Sequence, residues 1–467
     1  MADDSRQNTP SPVTALRDWL DHLTEHGRLA VIRPNVGLKH ELAAIAKRLD
    51  GEKATYFPKP GGHAIPVVSG VLGDRAWIAD AMGVAPDQVL TRFSEAAANP
   101  LPWKEVASAP VQEVVIDKVD LLRQLPIPTH NELDSGPYIS AGLLIARNPR
   151  TGKQNVSIHR CQVNPPDQLG ILLLPRHTLH FFDAAEQAGQ PLEIAVVIGV
   201  DPLTSLASQA IAPLDQDELE IAGALHGKPL EVVKCQTNQV RVPAAAEIVL
   251  EGRILPHKRA LEGPFGEFPQ YYGERGERHV AQIDRITHRR DAIFHTINGG
   301  ANEHLLLGAI PREATLLGHL KRSFPNVLDV HLAMGGVGRY VLYVKLRKRH
   351  EGEAKNVIMG AFGGHYDLKH VIVVDADVNI HDAREVEWAV VTRSQADRDF
   401  LIIPHSQGSK LDPSAKDGVG TKLGIDATVP LDAPAGKFTR IRVPGEDTVD
   451  LGQVVDAEAA GNWRRRR

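Results

Sequence analysis

Leu261-Glu-Gly-Pro-Phe-Gly-Glu-Phe268 places two carboxylates, Glu262 and Glu267, on either side of a segment that Gly263, Pro264 and Gly266 force to turn. In a regular strand, acids at this odd spacing point to opposite faces. Proline fixes φ and glycine is free to take φ > 0, so here the two side chains can converge on one point. Like charges held close do not both ionise freely, and a convergent pair is therefore the raw material of a general acid. A hairpin loop with two solvated acids is the plain alternative for a turn of this composition.

The surroundings of this turn are rich in strands. Segments near 111–116, 141–147, 155–163, 171–174, 192–200, 231–235, 246–251, 281–289 and 292–297 are β-rich with turn residues between them. Repeated short strands with one helical interruption, near 217–225, predict a barrel or a strongly curved sheet. The flanks read differently. Leu16, Trp19, Leu20 and Leu23 recur at helical spacing before Gly27, a second helix is expected over 39–49, and a third near 86–97. After Pro311 helices near 312–322, 354–361 and 383–391 alternate with strands near 327–333, 340–345 and 371–374, a second α/β unit. The expected organisation is α/β (α+β): an N-terminal α/β domain over 1–110, a β-rich domain over 111–310 and a C-terminal α/β domain over 311–467.

Composition narrows the function. With 53 basic and 58 acidic residues the net charge is −5, which marks no surface for nucleic acid. The one basic run, Arg464 to Arg467, reads as a solvated tail. Two cysteines, Cys161 and Cys235, make neither a disulfide framework nor a zinc site and suit a reducing cytoplasm. No apolar run has the length of a membrane span, and Met1 to Pro12 lacks the apolar core of a signal peptide. A cytoplasmic chain with no membrane partner is expected.

Three further places carry polar chemistry. Along Asn155-Val-Ser-Ile-His-Arg160, residues Asn155, Ser157 and His159 alternate onto one face, with Val156, Ile158 and Arg160 on the other. An edge strand with one wet face explains this without function, and bringing Asn155 and Arg160 into one site requires a bend. Pro175-Arg176-His177 follows an apolar stretch, and Glu218 lies on the short acidic helix. An amide oxygen, an imidazole and a carboxylate form a hard donor set that suits Mn²⁺ or Mg²⁺ better than structural zinc. Its open positions would take water and a phosphate oxygen.

Taken together, these segments, with Val242-Pro-Ala-Ala-Ala-Glu-Ile-Val-Leu-Glu-Gly252, Glu262-Gly-Pro-Phe-Gly-Glu267, Trp388-Ala-Val-Val-Thr-Arg393 and Gly420-Thr-Lys-Leu-Gly-Ile-Asp-Ala427, resemble the UbiD-type decarboxylases over nearly the whole chain. The resemblance implies a split β-barrel flavin domain between the two α/β units, the last of them used for oligomerisation as a homodimer or homohexamer. It implies prenylated FMN, supplied by a flavin prenyltransferase, with Mn²⁺ (or Mg²⁺) and K⁺. Asn155, His177 and Glu218 match the family's metal ligands. Ser157, Ile158, His159, Arg160, Arg176 and His177 match its flavin-contacting segments, and Arg160, Glu262 and Glu267 its catalytic trio. The implied reaction is reversible, non-oxidative decarboxylation of an unsaturated acid by cycloaddition to the cofactor, with Arg160 and Glu262 positioning and Glu267 donating the proton. The family's phosphate-binding lysine is not placed.

Loss of CO₂ from an sp² carbon leaves electrons that no amino-acid side chain accepts, so a cofactor is required. His295-Thr-Ile-Asn-Gly-Gly-Ala-Asn-Glu-His304 is more polar than a connector needs and resembles the substrate-facing stretch of relatives acting on heteroaromatic acids. His295, Asn298 and His304 are therefore expected to contact an aromatic or heteroaromatic carboxylate, a Gly-rich turn with satisfied polar groups being the alternative. The rival readings are a non-catalytic flavin-binding protein and a conventional FMN protein on a split barrel.

Overall fold

Strands between Val114 and His288 assemble into a nine-stranded antiparallel sheet in the computed structural model, which describes residues 13–446 and 448–455. The Met1 to Pro12 and Arg464 to Arg467 segments lie outside the described residues. The sheet order runs Tyr138–Ile139, Cys161–Asn164, Gln168–Ile171, Gly276–His288, Ile248–Glu262, Leu192–Ile198, Leu143–Arg147, Gln154–Ile158, with Val114–Ile116 added beside Gly276–His288. Side chains alternate as a pleat demands, yet both faces are covered. Ile194, Val196 and Ile198 enter one apolar core and Ala195 and Val197 another.

The expected barrel does not close by hydrogen bonding, because its terminal strands, Tyr138–Ile139 and Gln154–Ile158, do not pair with each other. The chain joins them covalently instead. His159 and Arg160 carry it from Gln154–Ile158 across to Cys161–Asn164, and the His159 amide donates to the Gly142 carbonyl at 3.3 Å. The single strand expected over 155–163 is thus two strands meeting at a corner. That corner is the bend the Asn155–Arg160 segment needed.

A four-stranded sheet forms from Leu29–Val31, Ala54–Phe57, Val67–Ser69 and, from far along the chain, Phe294–His295. Helices Leu16–Glu25, Glu41–Arg48, Arg75–Met82 and Val89–Ala98 accompany it. Leu16, Trp19, Leu20 and Leu23 are buried as their spacing predicts, and Gly27 takes φ +65° after the helix end. Towards the C-terminus a five-stranded sheet runs Val327–Leu332, Val341–Leu346, His370–Asp375, Val419–Ala427, Phe400–Gln407. Its three central strands are parallel and its outer pairings antiparallel. No helix among the described residues is long and apolar enough to cross a membrane.

One helix links these layers. Asn302–Ser323 is 22 residues long and packs into the core shared by the N-terminal helices and the C-terminal sheet. Sequence reasoning starts this helix after Pro311, yet Pro311 lies inside it. A proline forfeits one backbone hydrogen bond. The compensating start signal is not local: the Asp50 carboxylate accepts the Asn302 amide at 3.0 Å from another part of the chain.

Further along, the buried Glu313 accepts from Arg75 at 2.5 Å, His331 at 2.9 Å and the Leu332 amide at 2.7 Å. Burial alone would push its carboxyl up, but Arg75 and His331 outweigh this and bring it down to about 2. Deleting one partner of such a cluster leaves charge unpaired in the interior, at a cost of about 3–5 kcal/mol. Glu313→Ala should lower the urea midpoint accordingly, and a midpoint equal to wild type would show that the junction does not depend on it.

Candidate active site

Arg160 stands at the corner of the sheet and reaches both acids of the turn. Its Nη1 donates to Glu267 Oε1 at 2.6 Å and its Nη2 to Glu262 Oε2 at 2.8 Å. The Glu262 side chain is fully buried, and 13% of the Glu267 side chain is exposed. Burial opposes the Arg160 charge, but the two carboxylates outweigh it and raise its pKa. The predicted convergence of the acids is therefore present, with a guanidinium between them.

The turn is braced from outside. Phe265–Gly266 pairs with Tyr272–Gly273 in a two-stranded ribbon. A Cβ on Gly273 would lie 2.5 Å from Arg160 Nη1, so only glycine leaves the guanidinium its place. The segment from Asn131 to Tyr138 supplies the rest. Asp134 accepts the Gly266 amide at 2.9 Å, the Ser135 amide donates to the Pro264 carbonyl at 3.0 Å, and the Tyr138 hydroxyl donates to Glu262 Oε1 at 3.0 Å. Sequence reasoning missed this segment. Its only signal was Tyr138, a phenol inside an apolar stretch, where a buried hydroxyl demands a partner.

Asn155 and His177 also meet, and Glu218 reaches the neighbouring residue of the same strand. His177 Nδ1 lies 3.0 Å from Asn155 Oδ1, and Glu218 Oε2 accepts the Val156 amide at 2.6 Å. The polar face read from the sequence is linked internally, Ser157 Oγ lying 2.9 Å from His159 Nε2. His177 opens the helix His177–Gln187 rather than ending a strand, and Glu218 begins the helix Glu218–His226. Glu218 is buried among the described residues with no cationic partner, and burial pushes its carboxyl well above the ordinary range. That is the position of an acid awaiting a cation, and the amide, imidazole and carboxylate donors fit a hard divalent ion. Among the described residues no cluster of three or more His, Cys, Asp or Glu side chains could hold a metal, so any such site must use the amide.

A cavity of about 600 Å³ opens between Arg176 and the C-terminal layer, lined there by Phe362, His365, Tyr366 and Lys422. Arg176 is exposed at its mouth and donates to the Tyr366 hydroxyl at 3.3 Å. Lys422, from the Gly-Thr-Lys-Leu-Gly stretch, donates to the Tyr366 carbonyl at 2.8 Å.

The residues expected at the substrate divide. His295 is buried against Glu303 of the long helix at 3.0 Å, and the Asn298 amide donates to the Ala43 carbonyl of the N-terminal layer at 2.9 Å. His304 instead meets two arginines absent from the sequence reading. Arg312 Nη1 and Arg339 Nη2 lie 3.3 and 3.2 Å from the point where Gly308 would carry a Cβ. Arg339 stacks on Phe268 with Cζ 4.1 Å from the ring centroid. Neither arginine forms an ion pair among the described residues, and Arg312 Nε is buried without a partner. Burial lowers the pKa of both, and it pushes His304 down to about 3 with help from Arg339 and Arg312. The Gly300 amide donates to His304 Nδ1, which leaves the neutral ring a donor at Nε2.

The acids of the 242–252 motif serve the fold. Glu247 takes Arg17 through two bonds of 2.9 Å, and Glu251 accepts the Gln236 and Thr237 amides.

Family models described as the N-terminal, Rift-related and C-terminal domains of 3-octaprenyl-4-hydroxybenzoate carboxy-lyase match residues 20–97, 104–302 and 305–427. The chain belongs to the UbiD family and is a decarboxylase. It is 39% identical over 427 residues to anhydromevalonate phosphate decarboxylase of Methanothermobacter thermautotrophicus, covering 91% of this chain and 99% of that one. It superimposes on the UbiD-class enzyme HmfF of Pelotomaculum thermopropionicum, solved with FMN, with a TM-score of 0.93 and 51% identity over 94% of this chain and 100% of the other. The apo 3,4-dihydroxybenzoic acid decarboxylase of Enterobacter cloacae gives a TM-score of 0.89 at 29% identity over 96% and 99% of the two chains.

His304, near 3, and His130, which burial pushes down to about 4, stay neutral in the fold, whereas their ordinary value is 6.5. Below about pH 6.5 the unfolded chain therefore binds protons that the folded chain refuses, and stability rises with pH through this window. A His130→Gln variant should lose less thermal midpoint than wild type between pH 7 and pH 4; an equal loss would contradict the buried neutral ring.

Proposed function

We propose that the protein decarboxylates, reversibly, a small aromatic or heteroaromatic acid that carries a second anionic group, using prenylated FMN. The observation that carries this reading is the pair of buried Arg312 and half-buried Arg339, which form no ion pair among the described residues and lie beside His304 and the Arg160 cluster. Buried charge is tolerated when it is paired, so an empty guanidinium pair in a cleft is a place for an anion. Phe268, which follows Glu267 directly in the chain, lies under Arg339, so the two subsites are separated by little more than one ring. That spacing suits a compact dianion. Related proteins act, by their names, on a dihydroxybenzoic acid and on a phosphorylated acid. The second anion here is accordingly a carboxylate or a phosphate, and the ring next to Phe268 favours the aromatic class.

Prenylated FMN, when bound, supplies the electron sink for the bonding pair released with CO₂. The chain supplies everything else. Asn155, His177 and Glu218 would hold Mn²⁺ or Mg²⁺, which with K⁺ ties down the flavin phosphate. Ser157, Ile158, His159 and Arg176 would line the flavin, and Lys422 faces the same cavity as the missing phosphate lysine. Arg160, kept in place by Glu262, orients the reacting carboxylate. Glu267 returns a proton to the carbon that CO₂ has left, a contribution of roughly 10²–10⁴-fold. A homodimer or homohexamer built through the C-terminal layer belongs to the same reading.

Glu267→Gln should abolish CO₂ release and the incorporation of solvent deuterium into product while flavin stays bound; turnover at the wild-type rate would remove the proton-donor assignment. Protein made with a flavin prenyltransferase should be active and protein holding plain FMN inactive, whereas activity with plain FMN would favour a conventional FMN enzyme. In a panel read by CO₂ release, Arg339→Met should raise KM for aromatic dicarboxylates about 30-fold or more, the cost of an unpaired buried anion. The same variant should leave a monocarboxylate such as benzoate no worse. Equal loss on both substrates would overturn the second subsite.

A further inference from the structure

Decarboxylation of an anion consumes one proton per turnover, RCO₂⁻ + H⁺ → RH + CO₂, and the acid cluster that must be resupplied is closed off. Glu262 has no exposed side-chain surface and Arg160 only 8%. The remaining opening, at Glu267, is the one over which a bound substrate would sit. Behind the cluster, however, an unbroken row of hydroxyls leads outward. Glu262 Oε1 accepts from the Tyr138 hydroxyl at 3.0 Å, and the Tyr138 hydroxyl lies 3.1 Å from Ser135 Oγ, on an exposed residue.

One acceptor holds this row in place. Gln162 Oε1 accepts the Gly263 amide at 2.9 Å and lies 3.0 Å from both Ser135 Oγ and the Tyr138 oxygen, which also accepts the Gly263 amide at 3.1 Å. The Tyr138 ring stacks on Phe265 of the acid turn with centroids 4.2 Å apart, which fixes the phenol against Glu262. No structural need accounts for the outer member, since the Ser135 backbone amide already bonds the turn.

We infer that Ser135 and Tyr138 form the proton entry of the enzyme, feeding Glu262 and through it Glu267; the inference rests on the decarboxylase reading above. Burial and the neighbouring Glu262 charge raise the Tyr138 pKa, so the phenol never leaves as a phenolate and passes a proton only as it receives one. In the step, the Tyr138 O–H bond breaks as a new O–H bond forms on Glu262 Oε1. Ser135 gives its proton to the Tyr138 oxygen, and water restores Ser135. Glu262 then gives up its proton across the Arg160 guanidinium, which both acids hold, to the Glu267 carboxylate left after catalysis, and is itself a carboxylate again. These two acids grip neighbouring nitrogens of one guanidinium. Tyr138 and Ser135 act through Glu262.

The test uses holoenzyme carrying Tyr138→Phe or Ser135→Val, the second chosen because an apolar branched side chain also excludes a substitute water. Each variant should lower kcat by at least about tenfold at unchanged KM and enlarge the solvent deuterium isotope effect on kcat. Ser135→Val with wild-type kcat and isotope effect would overturn the relay and leave Tyr138 a purely positioning group; a loss carried by KM alone would do the same. Ser135 lies at the surface, so this variant decides the matter even if Tyr138→Phe does not fold. A wild-type holoenzyme that releases no CO₂ would instead bring down the decarboxylation reading itself, and the relay with it.

Discussion

A guanidinium shared between two acids, in a place where water barely reaches, is the interaction around which the rest of this molecule is arranged. Arg160 compensates the charges of Glu262 and Glu267, and neither acid has another cation among the described residues. Desolvation makes every member of such a group dependent on the others, because removing one leaves a charge stranded in low dielectric. The fold answers with several independent restraints: a corner between two strands for Arg160, a glycine at 273 that keeps its space open, and a three-point brace on the acid turn from residues 131–138.

The long helix Asn302–Ser323 shows how one element divides labour by face. Glu303 and Glu313 spend their charge on the N-terminal and C-terminal layers, through Gly70, His295, Arg75 and His331. His304, one residue after Glu303, and Arg312, one before Glu313, point away from those layers and toward Arg339. A shift of one position on a helix turns a side chain by about 100°, and this separates an acid that holds the layers together from a base that faces a ligand. The loop that presents Arg339 contains Val337 at φ +54°, a left-handed conformation a β-branched residue rarely takes. Local strain of this kind persists where the surroundings demand a particular direction of the chain.

Charge in the cleft is unbalanced in a useful sense. Among the described residues Glu218 has no cationic partner, while Arg312 and Arg339 form no ion pair and have Asp367 only at longer range. Both deficits are costly in isolation, and the proposed metal and dianionic substrate would relieve them. Folding therefore gives up stability that binding returns, which is the usual bargain at a functional site.

The sequence by itself determined the parts written into short stretches: the amphipathic first helix, the strand-rich middle, the turn that brings Glu262 toward Glu267, and the family. These are local, because periodicity, glycine and proline act on neighbouring residues. The tertiary structure decided what depends on distant partners. The helix start at Asn302 is capped by Asp50, Tyr138 gains its meaning from Glu262, and the acids of the 242–252 motif serve Arg17 and a turn at 236–237. Arg312 and Arg339 are ordinary basic residues in the sequence. They stand out only because two elements carry them to one place where neither forms an ion pair among the described residues, and such placement is a property of the whole chain.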